Sequence, residues 1–280
     1  MPGESPRIVG RYAVYGEIAS GGMATVHYGR LLGNAGFART VAIKRLHPQF
    51  AKDQAFVAMF LDEARIAARI RHPNVVSTLD VVAAEGEVFL VLDYVPGVSL
   101  WALLRSAARR SERAPLAVAV AVLVDVLHGL AAAHEATDER GERLGVVHRD
   151  VSPENILVGA DGVARLLDFG VAKASGRLQT TREGQVKGKL AYMAPEQIRD
   201  RPLDAKTDVY ATSVVPWEIL TGKRLFSGSN EGAVIERVLL GDVHPPSRWV
   251  AELPEALDAI TLRGLERDRV AGRRDRERIR

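Results

Sequence analysis

The chain has 280 residues, 47% of them hydrophobic and 26% charged, which supplies a core and leaves room for one large or two small domains. It contains no cysteine, which excludes a disulfide framework, a cysteine metal site and a thiol nucleophile. The net charge of +3 belongs to one end: residues 263–280 carry eight Arg against four acids, leaving −1 elsewhere and no basic surface for nucleic acid.

Residues 1–11 read as an N-terminal extension without the apolar core of a signal peptide. Residues 12–18, 25–30 and 40–46 read as strands, with a glycine turn at Ser20-Gly21-Gly22-Met23. Val41-Ala42-Ile43-Lys44 places a lysine in an apolar strand, where such a residue ordinarily snorkels to the surface. The helix predicted over 53–70 argues for another role. Phe56, Phe60, Ala67 and Ile70 share one face, and Glu63 falls inside that stripe. A carboxylate in a buried stripe needs a partner, and Lys44 is the expected one. His72-Pro73-Asn74 closes the helix, because proline cannot continue it.

Strands over 75–84 and 87–92 follow, then a connection at Asp93-Tyr94-Val95-Pro96-Gly97 and a helix over 99–110. Leu116–His134 alternates Ala and Val as a strand does, but its length and closing Ala131-Ala132-Ala133 favour a helix. Its uninterrupted apolar run, 116–124, is nine residues, too short to span a bilayer. A buried core helix, no membrane contact and a cytoplasmic location are expected. Residues 137–145 read as a polar surface loop.

Residues 148–170 read H-R-D-V-S-P-E-N-I-L-V-G-A-D-G-V-A-R-L-L-D-F-G. Two short apolar runs flank an Asp161-Gly162 turn, so a hairpin is predicted that brings Asn155 beside Asp168. Both offer hard oxygen ligands suited to Mg²⁺. Residues 171–193 lack periodicity and end at Ala194-Pro195-Glu196. A long helix is predicted around Trp217-Glu218-Ile219-Leu220-Thr221-Gly222, with Pro216 inside it at a cost of roughly 3 kcal/mol unless a kink is accommodated.

His148-Arg149-Asp150 with Asn155, then Asp168-Phe169-Gly170, together with Val41-Ala42-Ile43-Lys44 and Ala194-Pro195-Glu196, form the signature set of protein kinases. The chain resembles the bacterial serine/threonine kinases of the eukaryotic type over roughly residues 12–270; Ser20-Gly21-Gly22-Met23, Tyr192-Met193-Ala194-Pro195-Glu196-Gln197 and Leu220-Thr221-Gly222 read that way. The resemblance implies an α+β, two-lobed kinase fold: a β-rich lobe over 12–95 with one main helix, a mainly helical lobe over 96–270, and a basic tail over 271–280. It implies ATP and Mg²⁺, with Mn²⁺ as a substitute, protein Ser/Thr substrates, and a transient homodimer for autophosphorylation.

By that resemblance Asp150 accepts the substrate proton, Asn155 and Asp168 hold metal, and Lys44, fixed by Glu63, grips the α- and β-phosphates. Ile18, Ala19, Ser20, Gly21, Gly22, Met23, Val26, Ala42, Leu92, Asp93, Val95 and Leu157 surround the nucleotide, with Leu92 at the back of the adenine pocket and backbone groups of Asp93 and Val95 toward the base. Against G-x-G-x-x-G-x-V, only the middle glycine, Gly21, is kept; Ala19 and Ala24 replace the others, and a restricted positive φ is expected to weaken nucleotide binding. Arg149 is the expected receiver of a phosphorylated Ser175, Thr180 or Thr181, with Glu183 as a partial charge substitute. Arg273 or Arg274 is expected to pair with Glu196.

Two departures are linked. Kinases of this class carry Lys two residues after the catalytic Asp, where this chain has Ser152, and Thr after the glycine of G-T-x-x-Y, where Gly188 is followed by Lys189. The two residues meet beside the transferring phosphate, so Lys189 is expected to return the cation that Ser152 lacks. A pseudokinase and a small-molecule phosphotransferase are the alternatives; the activation segment ending in Ala194-Pro195-Glu196 speaks against the second.

Overall fold

The computed structural model of the chain describes residues 6–33, 36–169 and 188–266, apart from the side chain of Glu63. Strands β1 (Arg7–Val9), β2 (Tyr12–Ser20), β3 (Ala24–Leu32), β4 (Ala38–Leu46), β5 (Thr78–Ala84) and β6 (Glu87–Asp93) form one antiparallel sheet in the order β1-β2-β3-β4-β6-β5. Strand β1 comes from the stretch read as an extension. The two-residue side-chain period gives the sheet two apolar faces. Val41, Ile43, Phe89 and Val91 pack with Val9, Tyr12 and Val14 on one. Arg11 and the Tyr12 hydroxyl both reach Asp80, at 2.9 and 2.8 Å, and Arg7 reaches Glu85 at 2.9 Å, so polar contacts link the β1–β2 end to β5 and curl the sheet.

Leu46, Val88 and Leu90 line the other face and receive Phe56, Phe60 and Ala64 of helix α2 (Gln54–Ala67), which follows the single turn α1 (Pro48–Ala51). Asp53 caps α2 by accepting the N–H groups of Ala55 and Phe56 at 3.0 and 3.2 Å. The helix stops three residues before Ile70. Arg69 and Ile70 donate instead to Ile66 and Ala67, a tighter turn that still buries Ile70. The strand expected from 75 begins at Thr78, because Val76 N–H is taken by Leu166 O at 3.0 Å and Leu166 N–H by Asn74 O at 2.9 Å.

The short strands β7 (Gly97–Ser99), β8 (Ile156–Gly159) and β9 (Ala164–Leu166) form a second sheet in that order. Helices α3 (Leu100–Arg109) and α4 (Leu116–His134) precede the catalytic hairpin; α5 (Pro195–Ile198), α6 (Ala205–Thr221), α7 (Glu231–Leu240) and α8 (Glu255–Gly264) follow it. By length and composition α4 is apolar enough to cross a membrane, more than its nine-residue run implied. In the fold it packs against α6 and β9, burying Ala119, Val122, Val126, Leu130 and Ala133. Gly129 lets it cross the chain at Asn74; a Cβ there would stand 2.6 Å from the Asn74 carbonyl.

Helix α6 is buried almost throughout and runs through Pro216 without a break. Proline removes the N–H that would bond the Thr212 carbonyl, but Val214, Val215, Trp217 and Ile219 are all buried around it. Core burial on both sides of the proline outweighs one missing bond. Gly222, with φ of 68°, closes the helix in the left-handed conformation.

Candidate active site

The Asp-Gly turn does what its sequence implies: Gly162 takes φ of 80°, and Ile156 pairs with Leu166 across β8 and β9. Leu167 N–H then bonds Asn155 O at 2.9 Å, which sets Asp168 next to the end of the catalytic loop. Asn155 Nδ2 donates to Asp150 O at 2.8 Å and to Asp150 Oδ2 at 2.9 Å. With its amide nitrogen committed, the Asn155 carbonyl oxygen is the atom left to act as a ligand.

Asp168 holds Lys44 Nζ at 2.8 Å from Oδ1 and has φ of 46°, a left-handed conformation that costs a non-glycine residue about 1 kcal/mol or more. Burial pushes its carboxyl up, but the Lys44 ammonium pulls it further down, so the net shift is below the usual carboxylate value. Asp168 is therefore ionised at neutral pH. Lys44 is buried, with the Phe60 ring 5.9 Å from its ammonium. The pair expected between Lys44 and Glu63 lies outside the described side chains; Lys44 does pair with Asp168.

Asp150 Oδ2 also receives Lys189 Nζ, at 2.9 Å. Burial lowers the Lys189 ammonium, and the Asp150 carboxylate more than offsets this, leaving it above its ordinary value. Ser152 is 2% exposed, and among the described residues its hydroxyl has no hydrogen-bond partner. The ammonium beside Asp150 thus comes from Lys189, while the nearby Ser152 hydroxyl makes no hydrogen bond among the described residues.

The loop is held from below. Asp208 of α6, fully buried, accepts the N–H groups of His148 and Arg149 at 2.8 Å each and faces His134 Nε2 at 2.7 Å. These bonds sustain Arg149 at φ of 64°, a strained position for a side chain of this size. His148 is 0% exposed; its Nε2 faces Leu167 O at 2.9 Å and its Nδ1 faces Asp150 N at 3.3 Å. One carbonyl and one N–H require a neutral ring protonated on Nε2. Burial lowers its basicity and agrees with that state. The Phe169 ring lies 4.8 Å from that of His148, tilted by 44°, and packs with Ile70, Val75, Ala133 and Val146.

The residues expected around the nucleotide lie in both sheets and in the turn between β2 and β3, and cross-strand register relates several of them. Val26 pairs with Lys44, Ala42 with Leu92, and Ala19 with Val26, while Leu157 pairs with Ser99 in the smaller sheet. Ile18 is 49% exposed at the end of β2, followed by Ser20, Gly21, Gly22 and Met23; Gly21 N–H closes the turn onto Ala24 O at 2.9 Å. Asp93 N–H is donated to Ser77 O, so what Asp93 could offer a purine is its carbonyl; Val95 lies two residues on. The expected φ penalty at the turn is absent. Ala19 and Ala24 sit in β2 and β3, and neither has positive φ.

Arg149 N–H, Nε and carbonyl are described: Nε is buried without a partner among the described residues, and the carbonyl accepts Gln197 Nε2 at 2.9 Å. Ser175, Thr180, Thr181, Glu183, Arg273 and Arg274 lie outside the described residues. Glu196 accepts Thr207 Oγ1 at 2.9 Å. Sequence reasoning missed the His134–Asp208 contact and the buried Tyr192–Glu218 pair that the partly exposed Arg224 joins. Partners 74, 26 and 6 residues apart leave no local periodic signal.

The protein kinase domain family matches residues 12–256. The chain is 44% identical over 256 residues to the tyrosine-protein kinase MasK of Myxococcus xanthus, covering 91% of this chain and 40% of that protein. It is 38% identical over 259 residues to the serine/threonine-protein kinase PknL of Mycobacterium tuberculosis, covering 92% and 61%. The chain thus spans about two fifths to three fifths of these relatives' length. The crystal structure of the M. tuberculosis PknI kinase domain superposes with a TM-score of 0.68 at 24% identity, over 95% of this chain and 91% of that one, and shares the fold. A β-rich lobe with one main helix, a helical lobe and the motifs between them agree with these matches, and the chain belongs to the protein kinase domain family.

Proposed function

We propose that the chain is an ATP-dependent protein kinase acting on serine and threonine hydroxyls. The observation that carries this reading is the convergence of Asp150, Asn155, Asp168 and Lys44 through contacts of 2.8–2.9 Å. Asp150 orients the substrate hydroxyl and accepts its proton as the oxygen bonds the γ-phosphorus. The bond from that phosphorus to the β-bridging oxygen breaks, and ADP leaves. Lys44 steadies the α- and β-phosphates, and Lys189 places a cation beside Asp150 and the transferring group.

Ile18, Ala19, Ser20, Gly21, Gly22, Met23, Val26, Ala42, Leu92, Asp93, Val95 and Leu157 enclose the nucleotide. Asn155 and Asp168, an amide oxygen and an ionised carboxylate, would hold Mg²⁺, or Mn²⁺ as a substitute. When bound, such an ion would supply charge neutralisation to the phosphates. Glu63 is proposed as a second partner of Lys44. Autophosphorylation in a transient homodimer, receipt of the phosphate by Arg149, and a cytoplasmic site of action belong to the same proposal.

The test is transfer of label from γ-labelled ATP to a generic protein substrate, compared with Asp150→Ala, followed by phosphoamino-acid analysis. Label lost in the variant and found on Ser or Thr supports the reading. Equal label in both proteins, or none in either, removes it in favour of a pseudokinase. Ser152 supports a second reading, since it is the departure from the serine/threonine loop and one relative is named a tyrosine kinase. Label confined to tyrosine would establish that one instead.

A further inference from the structure

Helix α4 turns one face to solvent, and that face is apolar. Val120, Val124 and Leu127 are 37%, 42% and 39% exposed, in line with exposed Ala117 and Ala131. At the helical period these positions form one stripe of about 21 Å along the helix. Between Pro115 and Glu135 the ionisable residues are Asp125, His128 and His134. Asp125 accepts Ala164 N–H at 2.8 Å and His134 faces Asp208, so both are engaged with the fold, leaving His128 beside the stripe. A contiguous apolar stripe in water marks a surface that meets another.

The charges at its two ends say what that other surface is. Exposed Arg113 precedes the helix, and exposed Glu135 closes it as the C-terminal cap. Each stands at the end where the helix dipole disfavours its sign, the cation near the positive N-terminus and the carboxylate at the negative C-terminus. Both are eleven residues from Val124, in opposite directions. An antiparallel copy of the same helix, related by a twofold axis through Val124, therefore brings Arg113 of each copy to Glu135 of the other. Each charge then meets its opposite and the dipole end that suits it. The same axis sets Ala117 against Ala131 and Ala121 against Leu127, so no two large side chains collide and the helices approach closely. Residues 267–280 offer only Val270, Ala271 and Ile279 as apolar side chains among seven Arg and three acids, a poor match for this stripe.

We propose that the chain self-associates through α4 as an antiparallel, twofold-symmetric pair centred on Val124. The opposite face of α4 packs on α6 and β9, so the stripe lies on the far side of the helix from the catalytic hairpin, and pairing leaves both clefts open. The pair is thus distinct from the transient homodimer proposed for autophosphorylation, in which one copy's cleft must face the other. It does not depend on the reaction that the catalytic site performs.

Sedimentation equilibrium of the full chain over a range of concentrations tests this. The parent should show a monomer–dimer equilibrium. Val124→Glu, which puts two carboxylates together on the axis, should weaken it by about tenfold or more. Arg113→Glu and Glu135→Arg should each weaken it, and the double variant should restore it, a reversal that requires these two positions to meet across the pair. Because the chain has no cysteine, Val124→Cys supplies a single reporter. Under mild oxidation it should form an intermolecular disulfide about tenfold faster than Val118→Cys, a comparably exposed position roughly 120° round the helix. Where Val124→Glu does not fold, as judged by its thermal midpoint, Val124→Ser takes its place. A parent that is monomeric at every concentration, or a dimer that neither the Val124 variants nor the charge reversals shift, overturns the proposal. Binding of the parent to phosphatidylcholine–phosphatidylglycerol vesicles without self-association overturns it too, and assigns the stripe to a lipid surface.

Discussion

Lys189 Nζ rests 2.9 Å from Asp150 Oδ2, while the hydroxyl of Ser152, two residues from Asp150 in the same loop, is buried without a partner among the described residues. The ammonium seen on Asp150 is therefore carried by the segment leading to Ala194-Pro195-Glu196, and not by the position two residues after Asp150.

That arrangement makes the two positions interdependent. Ser152→Lys alone brings a second ammonium toward Asp150 beside Lys189, and Lys189→Thr alone removes the ammonium that Asp150 holds. Each single variant should lose phosphorylation rate, by about tenfold or more for Lys189→Thr, given what a charge-assisted contact contributes. Ser152→Lys with Lys189→Thr should outperform either single change. Single-turnover rates under saturating ATP measure this, and two singles equal to the parent would falsify the exchange.

How far the site was legible depended on the range of its contacts. Asn155 and Asp168 were placed together because the Asp161-Gly162 turn and two short apolar runs define a hairpin locally. The Ser152–Lys189 relationship was legible only as two departures from one motif set. The end of α2 was misplaced because apolar spacing continues to Ile70 while the backbone has already tightened after Ala67. The start of β5 was misplaced because Val76 spends its N–H on Leu166, a bond between segments 90 residues apart. Glu218 falls inside the predicted long helix and Arg224 just beyond it, and nothing near them in the chain announces Trp101 or Tyr192.

Asp208 accepts two backbone N–H groups and faces His134, all beneath the catalytic loop. Asp208→Ala leaves those donors buried without an acceptor, and the left-handed Arg149 without its restraint. A loss of about 2–4 kcal/mol is expected, together with phosphorylation activity. Thermal unfolding should show a midpoint lower by roughly 5–15 °C. An unchanged midpoint would mean that water or a rearranged loop meets these groups.

The alanines in the nucleotide turn make a contrasting case. Ala19 and Ala24 lie in strands without positive φ, so glycine at either position has no conformational demand to meet. Ala24→Gly should leave the KM for ATP within about twofold of the parent and lower stability by about 0.5–1 kcal/mol, the entropic cost of glycine in a strand. A several-fold drop in KM for ATP would show that the turn does need the freedom the alanines deny it.

His148 links pH to the fold. Its ring is neutral, donating from Nε2 to Leu167 O and accepting at Nδ1 from Asp150 N–H, and burial lowers its pKa below the ordinary 6.5. The unfolded chain therefore binds this proton first as pH falls. The contribution to stability is fully present above about pH 6.5 and is lost progressively below it, through the depressed folded value. Protonation would also put an N–H at Nδ1 against the N–H of Asp150, so the acid transition should loosen the catalytic loop. Denaturant unfolding of the parent should show stability declining from pH 7 to pH 5, with a shallower decline in His148→Gln. Nitrogen chemical shifts of the imidazole should report the Nε2-protonated neutral tautomer at pH 6. An equal acid decline in both proteins would assign the effect to other groups.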